Sequence, residues 1–299
     1  MIPDRIARLP CWQGAIAAQP MSGGLSNEIW KVTDAAGAHV VRLGQDYPAH
    51  HVFRDREAMV ARAAHGAGFG PAVEYTEPGV MVTGRGLTEF LGARTWGPAD
   101  VRVNPERVAH LLRDFHARMP AEVSGPGYVF WPFHVIRDYA RTIEAGGSGF
   151  APGLPRYLRL AAALEAAQVP LPIVFGHHDL LPANFLEEGA RLWLIDFEYA
   201  GFGTAMFDLA GAASNAGMDE GEAARLLSAY FGDTPQPPGL TRAFDAMQVA
   251  SLLREAMWAM VSELHLSAPG VNYAAYATEN LDRFEAALAR YCQTYGSLE

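Results

Sequence analysis

The sequence predicts an α+β chain of two lobes: a small, β-rich N-terminal lobe over residues 1–91 and a larger, mostly α-helical C-terminal lobe over residues 92–299. Three observations lead there. A length of 299 residues with 50% hydrophobic content can bury one large core or two moderate ones. Short β-branched and aromatic runs broken by turn residues occupy the first third of the chain and recur at 173–195, whereas beyond residue 240 the apolar residues follow the helical period. The late strands are joined by polar loops rich in His, Asp and Asn, residue types that bind hard cations and move protons.

Taken in order, residues 1–20 read as a helix or an extended lead-in ending at Pro20. Ser22, Gly23, Gly24, Leu25, Ser26 and Asn27 then form a small, donor-rich turn whose glycines let backbone N–H groups approach phosphates, although such a turn is also an ordinary hairpin. Strands at 28–33 and 39–43, joined through 34–37, would lay that turn over a nucleotide, and Arg42 projects from the second of them. Residues 53–65 are helical and stop at Gly66; they carry Glu57, which is placed to pair with Arg42 or, along its own helix, with Arg54 or Arg62. After a strand at 80–83, glycines at 84, 86 and 92 fit a lobe boundary.

Asn104 caps a helix with Pro105 at its first position and Val108, Leu111, Leu112, Phe115 and Met119 on one face; His110 and His116 read as packing or polar-face residues. Residues 120–155, rich in Gly, Pro and aromatics, read as a loop that packs or lines a substrate mouth. A helix at 156–167 leads into strands at 173–175, 185–186 and 192–195, the last two around a Glu187-Glu188-Gly189 turn. Asp219 with Glu222 forms a capping box for a helix to Tyr230, and helices follow at 240–264 and 277–291.

A net charge of −10 argues against a nucleic-acid partner, which demands a basic surface, but not against ATP, which needs only a local cluster of donors. Cys11 and Cys292 form no ligand spacing, so neither a disulfide framework nor a zinc site is expected and a reducing cytoplasm fits. The charged N-terminus does not read as a signal peptide, and no membrane span is expected.

The stretch that decides function is His177-His178-Asp179 with Asn184, followed by Asp196-Phe197-Glu198-Tyr199. The spacing His177-x-Asp179-x₄-Asn184 is that of a kinase catalytic loop, and the triplet arises by chance at roughly one starting position in 10⁴ or more. Together with Ile195-Asp196-Phe197-Glu198-Tyr199-Ala200-Gly201 and Phe207-Asp208-Leu209-Ala210, it resembles the choline/ethanolamine kinases of the aminoglycoside-phosphotransferase-like small-molecule kinases.

That resemblance implies a bilobal, protein-kinase-like fold and transfer of a phosphoryl group from ATP, with Mg²⁺, to a small-molecule alcohol. It makes Asp179, supported by His177, the group that accepts the hydroxyl proton, and Asn184 and Asp196 the metal ligands. The loop 22–27 and Arg42, standing where protein kinases have Lys, would hold the phosphates. Glu89, Phe90 and Leu91 lie in the stretch that looks like the hinge for the adenine ring, and Asp208 would brace the catalytic loop. If the acceptor is choline, Trp258, Tyr199 and Tyr273 would supply aromatic faces and Glu198 negative charge. Glu255 stands where the choline pattern has a second Trp, a carboxylate that favours a cation with N–H donors. The rival readings are a kinase of an aminoglycoside, thiamine or another metabolite, a nucleotide-binding pseudokinase, and a transition-metal hydrolase site of His177, His178, Asp179 and Asp196. The oligomeric state is open, a homodimer among the options.

Overall fold

The computed structural model describes residues 2–21, 27–84, 93–268 and 270–298. Two compact units emerge. The first comprises residues 1–96, 121–125 and 183–198, and the second residues 97–120, 126–182 and 199–299. The 183–198 hairpin, with the late strands of the sequence, thus groups with the N-terminal residues.

The first unit is built on an antiparallel sheet of β1 (Ala17–Met21), β2 (Glu28–Asp34), β3 (Gly37–Leu43), β4 (Val73–Glu77) and β5 (Val80–Thr83), in the order β1-β2-β3-β5-β4. The lead-in is therefore a short helix, α1 (Asp4–Ala7), and then an edge strand; Pro20 is tolerated there because an edge leaves one side of the ladder unpaired. The β2–β3 hairpin closes with Asp34 opposite Gly37, and the Asp34 carboxylate accepts the N–H groups of Ala36 (2.7 Å) and Gly37 (3.1 Å). Ile6, Leu9, Trp30, Val32, Val41, Val80 and Val82 form the core on one face of this sheet.

Helix α2 (Arg54–Gly66) begins without a side-chain cap of its own, but Asp46 accepts the Arg54 N–H (2.8 Å), and Asp55 and Glu57 place negative charge at the helix N-terminus. Its buried face is Glu57, Val60, Ala61 and Ala64, the helical repeat in which one member is charged. A second, three-stranded sheet joins β6 (Arg94–Thr95), β8 (Phe185–Glu188) and β9 (Arg191–Leu194).

Among its described residues the second unit is mostly helical, with one antiparallel strand pair, β7 (Ile173–Gly176) with β10 (Gly201–Thr204). At its centre is α9 (Leu240–His265), buried on every side from Val249 to Ser262, a mostly apolar stretch that also encloses Arg254 and Glu255. It packs against α5 (Pro132–Ala145), α6 (Leu154–Ala166), α7 (Ala205–Ala216) and α10 (Tyr273–Tyr295). The remaining helices are α3 (Pro98–Val103), α4 (Pro105–Glu122), whose last residues group with the first unit, and α8 (Glu220–Phe231), which carries the expected capping box.

Helix α5 corrects the reading of 120–155 as a loop. Pro132 occupies its first turn, where no N–H is needed, and Phe133, Val135, Ile136, Tyr139, Ala140 and Ile143 are buried along it. Among the described residues no helix is long and apolar enough to cross a membrane.

Candidate active site

In the second unit, β7 delivers the loop that starts at His177. Asp208, in the first turn of α7 and 1% exposed, accepts the backbone N–H groups of His177 (2.8 Å) and His178 (2.7 Å). This is the bracing that the resemblance implied. Burial alone would push the Asp208 carboxyl up, but its bond to His116 and the neighbouring His178 and His177 hold it well below the usual carboxylate range. His116, expected only to pack, stands between Asp208 (Nε2–Oδ2, 2.8 Å) and the Tyr230 hydroxyl (Nδ1–Oη, 2.7 Å). Nothing in the local sequence joins α4, α7 and α8, so the sequence could not reveal that relay.

His178 is a structural residue. It takes the left-handed conformation (φ 63°), stacks on Phe130 at 4.5 Å, and its ring lies so near Gly203 that a Cβ there would come within 2.8 Å of Nε2. Burial pushes its pKa down to about 4 and keeps it neutral. Beside it, the Asp179 N–H donates to His177 Nδ1 (3.3 Å), so the turn orients His177 and Asp179 together.

The Asp179 side chain is 12% exposed, and its Oδ1 lies 3.7 Å from Nη2 of Arg254 on α9. One residue on, Glu255 forms an ion pair with Arg254 Nη1 (3.3 Å) and accepts from the Tyr276 hydroxyl (2.8 Å). Trp258 is buried; its Nε1 donates to the Tyr199 hydroxyl (2.9 Å), and its ring meets Tyr273 and Tyr276 edge-on at 6.3 and 6.2 Å. Trp258, Tyr199 and Tyr273 are thus gathered, as expected, with Tyr276 as an unanticipated fourth ring. Glu255 faces an internal cation, which its place in the motif did not foretell.

In the first unit, Arg42 and Glu57 form a direct ion pair, and Arg42 Nη1 also donates to Asp196 Oδ1 (2.7 Å). Glu57 pairs with Arg54 as well (2.7 Å), so the two pairings weighed for it coexist. Arg54 in turn holds Glu198 (2.9 Å). Burial, then the nearby Asp196, push the Glu198 pKa up against the pull of Arg54 and Arg42. A cavity of about 360 Å³ within this unit is lined by Asn27, Arg42, Arg54 and Glu57 among others, a size that suits a small ligand.

The β8–β9 register sets Asn184 and Asp196 at the same end of one hairpin. Phe185 pairs with Leu194, and the Ile195 N–H donates to the Asn184 carbonyl (3.1 Å), so both residues flank the open end of one hairpin. Asp196 leaves the strand in the left-handed region (φ 67°), uncommon outside Gly and Asn, a strain of the kind that gathers at functional sites. An amide and a carboxylate are a donor set that fits Mg²⁺, which takes one or two protein oxygens and fills the rest with phosphate and water. Among the described residues no three His, Cys, Asp or Glu side chains converge on a metal position. Ser22, Gly23, Gly24, Leu25 and Ser26, and likewise Glu89, Phe90 and Leu91, lie outside the described residues.

A five-stranded antiparallel sheet with its helix, a helical unit, and a braced loop between strands define a protein-kinase-like α+β fold. The chain belongs to the phosphotransferase enzyme family, which matches residues 17–240. It resembles a choline/ethanolamine kinase family protein of Mesorhizobium loti (TM-score 0.75, 25% identity, 98% of this chain and 97% of that one). It also shares the fold of the choline kinase LicA of Streptococcus pneumoniae (TM-score 0.75, 21% identity, 92% and 94%). In sequence it is 25% identical to a probable ethanolamine kinase of Arabidopsis thaliana over 64% of this chain and 54% of that protein. The chain spans about half the length of the curated relatives it matches.

Proposed function

We propose that this chain transfers the γ-phosphoryl group of ATP to the hydroxyl of a small amino alcohol, choline or ethanolamine first among the candidates, with Mg²⁺ as cofactor. The observation that carries the reading is the bracing of the 177–179 turn by Asp208, because a general base works only where its carboxylate is held in place. In this reading Asp179 accepts the hydroxyl proton and His177 sets the turn. Asn184 and Asp196 hold the metal, which when bound would offset the charge of the phosphates.

Arg42, kept in place by Glu57, would bind phosphate oxygens through its planar fork. The loop 22–27 would cover the phosphates and residues 89–91 would meet the adenine, so that residues 1–91 serve the nucleotide and 92–299 the chemistry and the acceptor. Trp258, Tyr199 and Tyr273 would line the acceptor site. Glu198 and Glu255 are each already paired with an arginine, Arg54 and Arg254. A cytoplasmic setting fits the two unpaired cysteines.

Asp179→Ala tests the assignment: phosphoryl transfer is expected to vanish while ATP still binds by calorimetry, and full turnover would overturn it. ADP release across choline, ethanolamine, thiamine and an aminoglycoside, with Mg²⁺ supplied and then chelated, identifies the acceptor and the metal requirement.

A further inference from the structure

The loop from His177 to Asn184 contains no Lys or Arg, so no cation adjacent in sequence steadies Asp179. The fold brings one from 75 residues away. Arg254 is 4% exposed and lies in the fully buried stretch of α9 from Val249 to Ser262, with Nη2 3.7 Å from Asp179 Oδ1. An ion pair and two aromatic rings hold it. Glu255 takes Nη1 at 3.3 Å, Tyr276 anchors Glu255 at 2.8 Å, and the guanidinium plane lies over the rings of Tyr199 (5.4 Å) and Phe207 (6.0 Å). Burial would favour loss of its charge, but Glu255, Tyr139, Asp179 and Tyr199 outweigh it and push its pKa up, so the group stays a cation.

A buried cation that served stability alone would need one carboxylate, and Glu255 is that partner. Arg254 is shared with a second, which the reading above makes the proton acceptor. We propose that Arg254 is a positioning residue for phosphoryl transfer: it fixes the orientation of the Asp179 carboxylate and supplies the positive charge that the 177–184 loop lacks. The inference rests on the kinase reading. It also accounts for Glu255, whose carboxylate balances Arg254 instead of greeting the substrate.

The test measures turnover of ethanolamine with ATP and Mg²⁺ by the full chain. Arg254→Met is expected to lower kcat about 100-fold, the scale of a misplaced general base, with the KM for ATP changed less than threefold. Arg254→Lys, which keeps the charge but not the fork, should recover about tenfold of that loss. Added guanidinium ions should raise the kcat of Arg254→Ala in a saturable way without raising its Tm. Because Arg254 acts through Asp179, Arg254→Met placed on Asp179→Asn should cost less than threefold more.

Should Arg254→Met fail to fold, the double variant Arg254→Met with Glu255→Gln removes both charges of the buried pair together and strands neither; it is expected to show the same loss of kcat. Turnover within threefold of wild type in a folded variant, or additive losses with Asp179→Asn, would overturn the proposal. If the wild-type chain releases no ADP with ethanolamine or choline, the acceptor assignment has failed, and a crystal structure of the double variant decides the matter alone. Asp179 turned to another rotamer supports the role; an unmoved carboxylate refutes it.

Discussion

Acid stability should depend on His178, and the size of the effect follows from its surroundings. The ring is enclosed, stacked on Phe130 and near the Tyr199 carbonyl (3.3 Å), and burial sets its pKa at about 4, against about 6.5 in an unfolded chain. Between those values the unfolded chain takes up a proton that the fold refuses, so stability falls as pH drops through 6.5 and levels off below about 4. From pH 7 to pH 5 this one group should remove about 2 kcal/mol. Asp208 beside it, whose carboxyl stays ionised throughout that range, adds no slope of its own. Urea unfolding followed by tryptophan fluorescence at pH 7, 6 and 5 should show the loss in the wild-type protein. His178→Asn, whose short side chain tolerates the left-handed backbone, should be less stable at pH 7 but lack about 2 kcal/mol of the slope. Parallel lines for the two proteins would refute the assignment of a buried, neutral His178.

Asp208→Asn replaces a carboxylate that accepts from two backbone N–H groups and His116 with an amide whose NH₂ must face one of those donors. A loss of about 2–4 kcal/mol in urea unfolding is expected, and turnover should fall more than stability alone requires at temperatures where the variant is folded. An unchanged urea midpoint would contradict the bracing role. Glu57→Ala leaves Arg42 and Arg54 with less compensating charge in a buried network and should cost about 3 kcal/mol. Adding Arg42→Met should restore part of it in a thermal melt, and a further loss in the double variant would show that the pair is not the cause.

Residues close in sequence were the legible ones. The spacing of His177, Asp179 and Asn184, the β2–β3 hairpin with its Asp34–Gly37 closure, and helices α2, α8, α9 and α10 are local patterns, and periodicity or capping chemistry exposes them. Helix α5 was hidden because glycines and prolines crowd both of its ends while its own apolar repeat is intact. Strand β1 was obscured by a proline that an edge position tolerates. Arg254, Tyr276 and the His116–Tyr230 pair were out of reach for a different reason. Each acts on a residue more than twenty positions away, and no local pattern records which turn of a helix will face which loop. For Arg42, Arg54 and Glu57 the charges and both pairings were visible, but that the two pairings coexist depends on the burial of Glu57, which a sequence of surface-like residues conceals.

The β8–β9 hairpin works as a ruler with one free end. Glu188 pairs with Arg191, so Gly189 and Ala190 alone make the bend, far from the end that carries Asn184 and Asp196. Residues added at the bend would lengthen the ribbon without disturbing the candidate ligands. A single residue added within the paired strands would turn every later side chain to the opposite face and part the amide from the carboxylate. Natural variation in length should therefore accumulate at 189–190 and be purged from 185–188 and 191–194.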